Sequence, residues 1–167
     1  VTRLFSAFPL PTPVADHLAA HLGPQPKPTD RVNWHLTVGF YGETDPDECL
    51  SWLVAQVRGR PAPTLRLRGV GAFPGITWVG VHADQALADL AARVGTPGRD
   101  YVPHVTVGKW PRKSVAPGAP LPAHYEGPEW TPDALTLYAR RSGDDGPVYT
   151  PLDQVGLCRT GTSAPTC

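Results

Sequence analysis

A histidine followed two residues later by a threonine occurs twice in near-identical settings: HLTVG at 35–39 and HVTVG at 104–108 share four of five residues. With only six histidines in the chain, the repeat asks for one chemistry that uses both copies. Side chains on a strand alternate faces, so His35 and Thr37 point one way, as do His104 and Thr106. Side by side, the two segments would gather two imidazoles and two hydroxyls at one spot. Such a quartet suits a phosphate. Threonine hydroxyls donate to non-bridging oxygens, and imidazoles of ordinary pKa near 6.5 can be held one neutral and one protonated. The pair then takes a proton from an attacking oxygen and gives one to a leaving oxygen, with no metal or cofactor required. A lone HxT is more often structural; two matched copies change the balance.

The elements that must position these residues also repeat. RLFSAF (3–8) reads as a strand, and PTPVADHLAAHLG as a helix with prolines at its start, Val14, Leu18 and Leu22 four apart, and Gly23 as its stop. A proline-rich connector then leads into the first HxT strand. A second helix is expected from Pro46 to about Arg58, capped by Asp45. TLRLRGVGAFP and ITWVGVH read as a hairpin around Pro74-Gly75, followed by ALADLAARVG and the second HxT strand. LAAHLG (18–23) matches LAARVG (90–95), and Gly23 and Gly95 precede their histidines by 12 and 9 residues. Strand, helix and HxT strand thus occur twice, which predicts an internal duplication with the motifs facing each other across a pseudo-two-fold axis. Residues 110–130 are expected to form a long proline-rich loop, ALTLYARR and PVYTPL a final hairpin, residues 1–157 one domain, and 158–167 a flexible tail.

Composition narrows the class. A chain of 167 residues is long enough to bury about two thirds of its unfolded surface. The 21 prolines and 17 glycines make up about 23%, short of the roughly 25–30% of a low-complexity chain, so a folded domain is expected. Lys plus Arg equals Asp plus Glu at 15 each, which excludes a global basic field of the kind that grips long duplexes. Cys49, Cys158 and Cys167 are odd in number and without a CxxC, suggesting neither a disulfide framework nor a zinc site, and so a reducing cytoplasm. LFSAFPL (4–10) runs straight into Pro11, Pro13 and Asp16 and reads as a strand rather than a leader. No apolar run approaches a membrane span. His17 and His21 are four apart on a helix, but Leu18 stands where a zinc protease needs Glu, so no metal pair is expected there, and His82 and His124, without a partner pattern, are read as surface residues.

The segments RLFSAFPLP, HLTVGFYGE, GVGAFP, PHVTVGKW and LTLYARR resemble the 2H phosphoesterase superfamily, and within it the bacterial and archaeal RNA 2′,3′-cyclic phosphodiesterases, also called 2′-5′ RNA ligases. The likeness runs over roughly residues 3–153, and the paired HxT motif is its specific part. It implies an α+β, bilobal fold: two pseudo-symmetric antiparallel sheet lobes with outer helices and a central cleft carrying both motifs. It implies that His35 protonates the leaving ribose oxygen and that His104 activates water, acting on RNA ends that bear a 2′,3′-cyclic phosphate, in a cytoplasmic monomer. Run backwards with a 5′-hydroxyl in place of water, the step would make a 2′-5′ linkage. The family commonly has Arg at Lys109, and Lys lacks the guanidinium fork. Strict alternation also turns Lys109 away from His104. Gly39 and Tyr41 stand where Arg and Leu are usual; Tyr41 keeps the phase of His35 and is a candidate to stack on a base. Arg99 and Tyr101 correspond to a family Arg and aromatic and are candidate phosphate or base contacts. Two rival readings are a phosphodiesterase for a small cyclic phosphate such as an ADP-ribose cyclic phosphate, and an RNA-end binding module without turnover.

Overall fold

A computed structural model describes residues 2–144 and 146–160. β1 (Arg3–Pro9) leads through α1 (Thr12–His21) to the two-residue β2 (Lys27–Pro28), a 3-10 turn (Arg31–Asn33) and β3 (His35–Gly42). α2 (Pro46–Val57), the hairpin β4 (Leu65–Phe73) and β5 (Ile76–Ala83), α3 (Gln85–Val94) and β6 (His104–Lys109) follow, then β7 (Glu126–Trp130), β8 (Ala134–Gly143) and β9 (Gly146–Gly156). The expected caps are in place: the Asp45 carboxylate accepts from the Asp47 and Glu48 amides, and α3 stops at Gly95. No described helix is long and apolar enough to cross a membrane.

The strands form one antiparallel sheet in the order β7-β4-β5-β6-β3-β1-β8-β9, with β2 added alongside β6. The sheet is two four-stranded halves joined where β3 meets β6. Each half places its motif strand innermost, flanked by the strand that precedes its helix: β1 beside β3, β5 beside β6. The bilobal α+β expectation holds.

One face of this sheet carries the core. Leu36 and Val38 of β3, Val105 and Val107 of β6, and Leu65, Leu67 and Val79 from β4 and β5 are buried in one cluster with Val14 and Leu18 of α1, Leu53 and Val57 of α2 and Leu87, Leu90 and Val94 of α3. Period-2 strands meeting period-3.6 helices produce this layering, since each element has a single apolar side to cover. The opposite face of the motif strands is left for polar residues.

Two expectations need correction. The 110–130 segment is not all loop: Leu121 and Tyr125 are buried, and its last five residues form β7, an edge strand registered on β4 through Leu65–Trp130 and Arg66–Glu129. Pro128 is compatible with a strand only because that strand is an edge. The tail does not begin at residue 158. The Cys158 carbonyl accepts from Ala62, its amide donates to Arg60, and its side chain is buried and disulfide-bonded, so the cysteines are not all free thiols. Residues 161–167 of the expected tail lie outside the described residues. His17 and His21 stack on each other and pack on Tyr125, whose hydroxyl lies 3.1 Å from His17 Nδ1.

Candidate active site

The two motifs meet through their second residues. Leu36 pairs with Val105 in antiparallel register, so equivalent positions of the two copies lie across a local two-fold. That register sets His35 opposite Thr106 and Thr37 opposite His104. Leu36 and Val105 point into the core, and the four polar side chains therefore share the other face.

Each motif strand then carries an extra residue. Along β1, Ala7 pairs with Thr37 but Ser6 with Gly39, leaving Val38 as a bulge. Along β5, Trp78 pairs with Thr106 but Thr77 with Gly108, leaving Val107 as the equivalent bulge. A one-residue bulge inverts the alternation beyond it. Phe40 and Lys109 consequently return to the face of the histidines, as their partners Phe5 and Ile76 do. Strict alternation had turned Lys109 away, and the bulge is the reason it faces the cleft.

The same bulges explain the motif glycines. The chain leaving α3 crosses onto β3, and a Cβ on Gly39 would overlap the Val94 carbonyl oxygen. The chain leaving α1 crosses onto β6, where a Cβ on Gly108 would sit 2.7 Å from Gln25 Oε1. Thr96 Oγ1 accepts from the Phe40 amide and the Val107 carbonyl from the Thr29 amide, pinning each crossover to the opposite motif. Each half thus clamps the motif strand of the other.

The shared face borders a cavity of about 880 Å³ lined by His35, Thr37, His104, Thr106, Phe40 and Lys109, with Arg3, Arg140 and Tyr149 on the first half's wall and Lys27 on the second's. His104 Nδ1 donates to the Val102 carbonyl at 2.7 Å, which leaves Nε2 as the other functional nitrogen. His35 makes the matching backbone hydrogen bond two residues back, to Asn33. Their surroundings differ. The His35 ring lies against Phe5, Tyr138 and Tyr149, with centroids 5.2, 6.2 and 5.2 Å away, whereas His104 lies against Phe73 and Trp78 at 5.1 and 5.8 Å. Burial lowers the His35 pKa from 6.5 to about 4, the Asn33 hydrogen bond opposes that, and the charge of His104 adds to it. Two imidazoles that influence each other electrostatically border one cavity.

The other sequence candidates lie elsewhere. Tyr41, beyond the bulge, faces the opposite side: its hydroxyl is 2.5 Å from Ser6 Oγ, its ring packs edge-on against Trp52, and burial raises its pKa. Arg99 lines a separate cavity of about 700 Å³ between α2 and the end of α3. Tyr101 is also absent from the cleft wall; its hydroxyl donates to the Thr37 carbonyl at 2.9 Å, supporting the first motif from behind. Sequence reasoning missed Lys27, Phe40, Arg3 and Tyr149 as cleft residues. Phe40 would follow from the bulge, but only the structure reveals the bulge, and β2 is too short and proline-bounded to leave a periodic signal. Among the described residues, no three His, Cys, Asp or Glu side chains are arranged to hold a metal ion.

Residues 10–144 match the 2′-5′ RNA ligase superfamily. An RNA 2′,3′-cyclic phosphodiesterase of Methanothermobacter thermautotrophicus is 28% identical over 129 residues, covering 64% of this chain and 70% of that protein. A crystal structure from Thermus thermophilus superposes with a TM-score of 0.73 at 29% identity, covering 92% of this chain and 97% of the other. E. coli LigT complexed with 3′-AMP gives 0.72 at 26%, covering 93% and 98%.

Proposed function

The chain belongs to the 2′-5′ RNA ligase superfamily, and we propose that this protein is an RNA 2′,3′-cyclic phosphodiesterase that opens the cyclic phosphate at RNA ends to a 2′-phosphate. In this reading Thr37 and Thr106 donate hydrogen bonds to the non-bridging oxygens. His104 takes a proton from water as the water oxygen bonds to phosphorus, the bond from phosphorus to the 3′ oxygen breaks, and His35 delivers a proton to that oxygen. Water is consumed and the two histidines exchange protonation states, so solvent resets them. The step uses no metal.

The observation that carries the reading is the pairing of equivalent motif residues, Leu36 with Val105, beneath a cavity that both imidazoles line. A phosphate held there has one imidazole on either side. The names of the Methanothermobacter relative and of the LigT complex with 3′-AMP support a nucleotide phosphoester as the substrate. The test is incubation of the purified protein, chelator present, with a short RNA bearing a 2′,3′-cyclic phosphate, identifying which hydroxyl keeps the phosphate. His35→Ala and His104→Ala should each lower turnover by about 10²–10⁴-fold, the usual worth of a positioned acid or base. Unchanged turnover in both would remove the mechanism, and a 3′-phosphate product would reverse the leaving group. Faster hydrolysis of an ADP-ribose cyclic phosphate would favour the small-molecule reading, and tight binding without product a binding module.

The reverse step, with an RNA 5′-hydroxyl in place of water, would join ends through a 2′-5′ linkage; excess water makes hydrolysis the principal direction. We read the protein as a monomer acting on cytoplasmic RNA, its single domain running through the Cys158 contacts.

A further inference from the structure

The cavity of about 700 Å³ between α2 and the loop that follows α3 is not used by the two-histidine chemistry. Its volume is that of a small-molecule site. Phe40 borders both this cavity and the catalytic one, and its amide is held by Thr96 of the loop wall, so the pocket backs directly onto the first motif strand. Its walls differ in chemistry. On the α2 side, Trp52 is 41% exposed, and its ring meets that of Tyr41 at 73° with centroids 5.5 Å apart. Among the described residues no other aromatic ring packs on Trp52. An indole held in place with no ring stacked on it is a platform for a planar aromatic group. On the other side stand Arg93 and Arg99. Among the described residues neither guanidinium lies within ion-pair distance of a carboxylate. Arg93 is in the last turn of α3, where a cation suits the helix dipole without any ligand. Arg99 lies beyond the helix and has no such reason to be there.

Glu48, one helical turn before Trp52 on α2, also lines the pocket and offers an acceptor for an amino group. An aromatic platform, a carboxylate acceptor and two guanidiniums match the base, the base amino group and the phosphate of a nucleotide. We propose that this pocket binds a nucleotide, with its base on Trp52 and its phosphate on Arg99 and Arg93. The nucleotide is either free or a unit of an RNA strand whose end occupies the cleft on the far side of Phe40. Occupancy of the pocket is read by binding and does not depend on turnover in the cleft.

The experiment follows the Trp52 indole N–H and the His104 ring by NMR, assigned with Trp52→Phe and His104→Gln, as adenosine 5′-monophosphate is added. Trp52 should shift. Arg99→Ala should weaken the affinity read at Trp52 by about tenfold, the worth of one charge-assisted hydrogen bond, and leave the affinity read at His104 unchanged. Adenosine should bind at Trp52 more weakly than the monophosphate and be indifferent to Arg99→Ala. A Trp52 signal unmoved by millimolar monophosphate overturns the proposal. So do equal losses at both reporters, which would make Trp52 a distant witness of the cleft, and an equal loss for adenosine, which would give Arg99 a structural role. A short oligoadenylate ending in a 2′-phosphate separates the two sources. If an RNA strand supplies the nucleotide, Trp52 and His104 should titrate together, at least about tenfold tighter than with the monophosphate, and Arg99→Ala should remove that gain. If a free nucleotide does, the oligonucleotide should shift Trp52 no more tightly than the monophosphate.

Discussion

An acid that donates a proton at neutral pH must hold that proton, yet burial lowers the pKa of His35 to about 4 in the free protein. Phosphate binding should reverse this. A single negative charge about 4 Å from the imidazole, at an effective dielectric constant of about 20, contributes about 4 kcal/mol. That raises a pKa by about 3 and carries His35 from about 4 to about 7. Between those two values, binding takes up close to one proton, and affinity for the anion weakens about tenfold for each pH unit of increase. The assay is an NMR titration of the His35 ring, assigned with His35→Gln, alone and with a saturating nucleoside 2′-monophosphate. Calorimetry at pH 6 in buffers of different ionisation enthalpy counts the proton independently. A His35 that still titrates below about 5 with ligand bound would refute the donor assignment, because the ring would then be neutral at the moment of transfer.

The lowered pKa also bears on stability. The unfolded chain binds a proton at His35 below about 6.5 and the folded one only below about 4, so stability falls as pH drops through that window. Between pH 7 and 5 the loss from this residue is about 2 kcal/mol, and urea denaturation of His35→Gln should lack that part of the slope. Because burial is the main cause and Tyr149 covers the ring, Tyr149→Ala should move the free His35 pKa back toward 6.5 in the same NMR titration; no movement would put the cause elsewhere. Gly39→Ala drives a methyl into the backbone carbonyl of Val94, whereas Gly108→Ala meets only side-chain atoms, those of Gln25 from Oε1 at 2.7 Å to Cβ and Cγ at 3.0 Å. The first should cost about 1–3 kcal/mol or more in chemical denaturation and the second less, and a reversed order would contradict the crossover packing. Tyr101→Phe removes one part-buried hydrogen bond to Thr37, worth about 1 kcal/mol, and should lower the melting temperature modestly.

Much of the fold was legible because the chain says it twice. Identical HxTVG segments, matching helix ends and the Asp45 cap are local signals, and each led to the right element. What stayed hidden depends on pairing partners that lie far away in the chain. Nothing in VG announces that Val38 and Val107 are bulges, and one unannounced residue was enough to misplace Tyr41 and to turn Lys109 the wrong way. β7 was masked by Pro128, which is excluded from central strands but not from an edge. Arg99 and Tyr101 were assigned from their nearness to His104 in sequence. The loop they occupy instead carries Arg99 to the helix side and tucks Tyr101 behind Thr37.

Duplication alone cannot divide the labour between two histidines, because a two-fold axis makes them equivalent. The difference must come from what is not repeated. In the second half the outermost strand, β7, has five residues, while its counterpart in the first, β9, has eleven and carries Tyr149 over the His35 ring. That extension helps to desolvate one imidazole of the pair and makes its protonation depend on the anion beside it. Under the proposed mechanism, a histidine that is neutral until phosphate arrives would acquire its proton where the leaving oxygen needs it. If the proposed mechanism holds, the length of β9, and not the motif, would be what divides two equivalent histidines into an acid and a base.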